Sequence, residues 1–182
     1  QQAILDAYQF RHACKEFDPT RKISPEDFEF ILETGRLSPS SFGYEPWRFL
    51  VIQDSAWRER LRAVTWGAQK QLPSASHYLA LLVHRGGMRP DGEHVQHMMQ
   101  DIHRFTPERI AGRTGVYTRF QDSDFRLGDD RALFDWSCKQ AYIALGNMMT
   151  SAAMIGIDSC AVEGYDQEAA EAVLAEAGAL EG

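Results

Sequence analysis

The chain has 182 residues, enough for one domain with a sizeable core and too few for two full ones. Hydrophobic residues make up 44% and charged residues 25%, which excludes a disordered tail, a collagen-like fibre and a disulfide-knotted mini-protein. The formal charge of −7 gives no electrostatic reason to expect nucleic acid or an anionic membrane as partner.

In chain order, residues 3–10 carry a short helical pattern. Ser24-Pro25-Glu26-Asp27 is a helix start: Ser24 can cap, proline suits the first helical position, and acids favour the first turn. Phe28, Ile31 and Leu32 follow at helical spacing, and the helix should end before Ser38-Pro39. Trp47 to Ile52 and Tyr78 to Val83 are apolar runs of strand length. Residues 93–104 read as helix. Residues 106–128 mix glycine, arginine, aromatics and aspartate without a sustained period, and read as an excursion or lid outside the scaffold.

From Gln140 to Ile157, 18 residues carry no charge. That is the lower edge of a membrane span, but Gln140, Asn147, Thr150 and Ser151 interrupt it, so a buried helix over 129–156 is the better reading. A helix apolar on nearly every face needs partners on every face, which points to a subunit interface and a homodimer. Asp158 to Val162 reads as a short buried strand, and Asp166 to about Ala177 as a last helix. The order is α+β, in a single domain over 1–182.

Several chemistries are not supported. There is no G-x-G-x-x-G, Walker loop, C-x-x-C or G-x-S-x-G. His94 and His97 share a helix face with His103 nearby, but no third ligand completes a set, so no metal is expected. Cys14, Cys138 and Cys160 are sparse and odd in number, which fits a reducing, cytoplasmic compartment; no signal peptide is visible. Arg11 and Lys15, four residues apart beside Phe17-Asp18-Pro19, could hold an anion or form a solvated charge pair. Tyr117 and Phe120 lie in the irregular 106–128 segment, where local packing is the plain reading.

Taken together, Arg11-His12-x-x-Lys15-x-Phe17, Ser38-Pro39-Ser40-Ser41 with Glu45-Pro46-Trp47, Trp136-x-x-Lys139-Gln140-x-Tyr142-Ile143-x-Leu145-Gly146-Asn147, and Gly156 to Gly164 resemble the nitroreductase family of FMN-dependent enzymes over residues 4–177. The resemblance implies a three-layer α+β fold, a central mixed sheet flanked by helices, and an intertwined homodimer with two FMN sites. It implies reduction of nitroaromatics, quinones or related electrophiles at the expense of NAD(P)H, with no catalytic side chain beyond the flavin. Carried over, Arg11 lies at the phosphate or ribityl end, His12 and Ala13 in the same loop, and Lys15 near N1 and O2. Pro39, Ser40, Ser41 and Gly43 reach the other subunit's flavin; Gln69 or Gln71 faces the pyrimidine; Ala161, Val162, Glu163 and Gly164 lie against the ring. The resemblance also places an aromatic over the flavin face in the segment of Tyr117 and Phe120, and Phe120 becomes a candidate substrate gate for a small aromatic or quinone-like acceptor.

Glu45 stands where members often have an amide, Ala161 where many have proline, and Ala13 where many have serine. The family continues into another strand and a Lys-x-Arg pair that clamps the FMN phosphate, so the native gene product is expected to extend some tens of residues beyond Gly182. Two other functions stay open from residues alone: a non-catalytic flavin-binding or interaction protein, and a specialised dehalogenase-like or flavin-fragmenting reductase.

Overall fold

A computed structural model describes residues 1–180. The fold is α+β, rich in helix with a small sheet. Its described residues form two compact units, one of Gln1–Arg36, Phe49–Ala80 and Asn147 onward, the other of Leu37–Arg48 and Leu81–Gly146.

In the first unit, α1 (Gln2–Phe10) ends as Arg11 turns to extended geometry, so Arg11 to Lys15 leave the helix as a strand-like segment. α2 (Pro25–Arg36) starts as its sequence predicts: the Asp27 N–H donates to Ser24 Oγ at 3.0 Å, and Ser24 Oγ–H donates back to the Asp27 carboxylate at 2.7 Å. α3 (Ser55–Val64) is capped by Asp54, whose carboxylate accepts from Ala56 and Trp57 N–H. The short α4 (Gln71–Ser74) and the last helix lie over one core of Ile52, Leu61, Ala68, Leu72, Ala170 and Val173. A second core joins Ile31 of α2 to Met148 and Ala152. Gly35 lets α2 approach that helix: a Cβ there would stand 2.7 Å from Met148 Sδ and 2.9 Å from Phe49 Cζ.

Strands β1 (Trp47–Val51) and β2 (Leu79–Val83) pair. Ile52 N–H donates to Tyr78 O and His84 N–H to Pro46 O, a register that makes the pair antiparallel.

In the second unit, α5 (Glu93–His97) runs into a π-helical turn at Met98–Ile102. The 106–128 segment departs from its reading as an irregular excursion. It holds α6 (Pro107–Arg119), with Thr106 as cap and Pro107 at the first position, then a second π-helical turn at Phe120–Asp124. Gly112 and Gly115 face open space and weaken the helical signal in the sequence. Burial overrides that weakness: Tyr117 is fully buried among Tyr44, Met88, Val95, Met99 and Trp136. Within this unit the segment turns Tyr117, Gln121 and Leu127 into the core and leaves most of its other residues exposed.

The predicted long helix is α7 (Asp130–Met154), 25 residues or about 37 Å. α8 (Gln167–Glu176) closes the first unit, its Ala169 N–H capped by Asp166. The predicted strand at Asp158 to Val162 does not form as a buried strand. Among the described residues the segment makes a single parallel bridge, Ser159 to Ala13, with Asp158 and Ala161 exposed and Ser159, Cys160 and Val162 half-buried. A ladder needs a neighbour along its whole length, and among the described residues only one residue pair supplies it. Among the described residues, no helix is long and apolar enough to cross a membrane.

Candidate active site

The first unit gathers most of the residues singled out by sequence. The end of α1 releases Arg11, His12, Ala13 and Lys15 into an exposed run, and the Ala13–Ser159 bridge sets that run beside residues 159–164. Lys15 Nζ lies 4.0 Å from Cys160 Sγ, and among the described residues no carboxylate pairs with it. Gln71, only 6% exposed, points its amide at the same sulfur at 3.7 Å and at Gly67 O at 3.3 Å. Gln69 instead spends its NH2 on Arg62 O and Thr65 O. Between the two glutamines, Gln71 is the one brought to the 160 loop.

A glycine pair fixes the loop's distance. Gly67 N–H donates to Gly164 O at 2.7 Å, and a Cβ on either glycine would stand 2.9 Å from the other's Cα. Val162 packs into the hydrophobic cluster and anchors the loop, while Ala161 and Glu163 face outward. Trp66 is 76% exposed and lies against Gly164. His12 Nδ1 sits 3.2 Å from Phe10 O and 3.8 Å from the Asp158 carboxylate.

In the second unit, the Ser38 to Glu45 turn is held by its own polar atoms. Ser40 Oγ accepts from Glu45 N–H at 2.9 Å, and Gly43 N–H donates to Ser40 O. Ser41 N–H donates to Gln140 Oε1 of α7 at 2.9 Å. Gln140 is the residue that sequence reasoning missed; a buried amide inside an uncharged helical run was the available signal. Pro39 is exposed at the turn's entry. Phe42, Gly43 and Glu45 all have left-handed backbone, at φ 62°, 71° and 43°.

Tyr117 cannot cover a ligand in this structure, because it is fully buried with its hydroxyl donating to Met88 O at 3.0 Å; burial also raises its pKa. Phe120 is half-buried, its ring centroid 5.0 Å from Phe42 and 5.7 Å from Trp136. His94 Nε2–H donates to Tyr44 O, and His97 pairs with Asp101. Among the described residues, no group of three His, Cys, Asp or Glu could hold a metal ion.

The Nitroreductase family model matches residues 8–180 of the chain. The chain belongs to the nitroreductase family. A Bacillus subtilis (strain 168) relative, YfkO, carries the name of an NAD(P)H nitroreductase and is 51% identical over 180 residues, covering 98% of this chain and 81% of its own length. A nitroreductase-fold crystal structure from B. subtilis, YdfN, superposes with a TM-score of 0.78 at 19% identity, over 96% of this chain and 81% of that one. Another, from Exiguobacterium sibiricum and in complex with FMN, gives 0.73 at 21%, over 94% and 80%. Membership of the nitroreductase family makes the chain an oxidoreductase working with FMN and NAD(P)H.

The residues present fit a flavin. Among the described residues, a lysine without a carboxylate partner and a buried Ser159 Oγ without a hydrogen-bond partner adjoin Cys160, in the segment whose far end the Gly67–Gly164 approach holds.

Proposed function

We propose that this nitroreductase-family protein reduces nitroaromatics, quinones or related electrophiles with electrons from NAD(P)H. Bound FMN supplies the two-electron redox chemistry between donor and acceptor. The observation that carries the reading is the convergence of Lys15 and Gln71 on Cys160, beside the Gly67–Gly164 contact. Lys15 would meet charge at N1 and O2, Gln71 the pyrimidine edge, and the Ala161 to Gly164 backbone the ring. Arg11, His12 and Ala13 would hold the ribityl and phosphate end. Pro39, Ser40, Ser41 and Gly43 would complete the partner's site in a homodimer formed through α7. Lys15 stabilises charge that develops on reduction, by a fixed cation that needs no reorganisation. No protein nucleophile is required. Three free, half-buried cysteines support a cytoplasmic, reducing location.

Reconstitution with FMN tests the reading. A yellow protein that bleaches under anaerobic NAD(P)H and recovers its colour on adding a quinone supports the enzyme. Yellow protein that no nicotinamide bleaches would indicate a flavin-binding module.

A further inference from the structure

Phe42 is a bulky residue with left-handed backbone, and Glu45 three positions later is another. Such residues persist where their surroundings over-determine them, and they gather at sites that need a fixed geometry. The flanks of the turn are pinned by Gln140 and by the Ser40 hydroxyl. Phe42 itself is held from α6. Arg113 Nη2 donates to Phe42 O at 3.3 Å, and the guanidinium lies 5.1 Å from the centroid of the Phe42 ring. That ring in turn packs on Tyr117 and Phe120 at 4.8 and 5.0 Å. His103 backs Gly43, within 3.2 Å of where a Cβ would stand.

Arg113 is poorly explained by stability. Among the described residues no carboxylate pairs with it, and its Nε is buried without an acceptor. A buried donor left unpaired costs more than an apolar side chain of similar length would. Besides a hydrogen bond to the buried Tyr44 side chain, what the arginine provides is one donor to the Phe42 carbonyl and a cation against the Phe42 ring.

We infer that Arg113 is a positioning residue: it fixes the Ser40 to Gly43 turn, and through it the atoms that this turn offers to FMN. The inference rests on the flavin reading above and gives α6 the role of a brace. Stability and ligand binding should therefore separate on substitution. Arg113→Met removes the orphaned donor and keeps the bulk, and the Tyr44 hydroxyl keeps its bond to Met99 Sδ at 3.6 Å, so the fold keeps its stability. The turn loses its clamp on Phe42 and samples other backbone states, so FMN binds more weakly.

The test uses the full-length, FMN-free protein, with FMN affinity from flavin fluorescence quenching and thermal midpoints measured without FMN. Arg113→Met is expected to raise the Kd about tenfold at an unchanged midpoint. Arg113→Lys, which keeps a cation and one donor, recovers most of that loss. If Arg113→Met does not fold, Arg113→Gln carries the same expectation. Wild-type affinity in the neutral variants overturns the inference and leaves the flavin reading intact. So does a Kd rise that tracks a falling midpoint and is not rescued by lysine. A wild-type protein that binds no FMN overturns the flavin reading on which the inference rests.

Discussion

Lys15 is exposed, faces Cys160 and has no carboxylate partner among the described residues, so its charge is free to act on a ligand. Replacing it with alanine should make flavin reduction less favourable. A charge-assisted hydrogen bond contributes roughly 1.5–3 kcal/mol, and about 1.4 kcal/mol corresponds to about 30 mV in a two-electron couple. The bound flavin's midpoint potential in Lys15→Ala should fall by tens of millivolts, measured by dye-equilibrated titration at full occupancy; an unchanged potential would remove Lys15 from the ring's edge. Lys15 and Arg11 were legible because two cations at short spacing beside a turn form a local pattern. Gln140 was not, since its role depends on Ser41 standing 99 residues away in sequence. The choice between Gln69 and Gln71 was likewise a matter of which side chain the 65–71 turn folds back on itself.

Helices with caps and clean periodicity, α2 and α8, matched their sequence signals because those signals are local. α6 did not, because its two glycines blur the pattern and only burial of Tyr117 reveals which face is inward. The 158–162 segment failed for the complementary reason: a strand is defined by its neighbour, and no local pattern reports that neighbour. β2 runs into His84, whose pKa is pushed down to about 4 by burial first, then by His94, 4.1 Å away between ring centroids, and by Arg48. The sign follows from linkage. Above about pH 6.5 the imidazole is neutral in both folded and unfolded chains. As pH falls from there through about 4, the unfolded chain takes up a proton that the folded one resists, and stability is lost, on the order of 2 kcal/mol. Thermal midpoints should fall over that window more steeply for the wild type than for His84→Gln. Parallel curves would mean that His84 titrates normally.

In the proposed dimer, each site takes Arg11 to Lys15 with Gln71 and 161–164 from one subunit and the 39–43 turn from its partner. α7 leaves Tyr142, Ile143 and Met154 exposed, at 55%, 42% and 55%, and α1 leaves Ile4, Leu5 and Tyr8 exposed. Apolar side chains in such number on two helices are what a second copy would cover. The proposed dimer closes each site with the partner's turn, and mixed dimers test this directly. Gly164→Ala drives a Cβ to 2.9 Å from the Gly67 Cα and spoils one half of the site. Ser41→Pro removes the N–H held by Gln140 and spoils the other. Neither homodimer should bind FMN. In the heterodimer of the two variants, one site collects both lesions and the other collects none. Flavin stoichiometry of the purified, differently tagged heterodimer should therefore return to about one FMN per dimer. A heterodimer as empty as its parents would contradict sites shared between subunits.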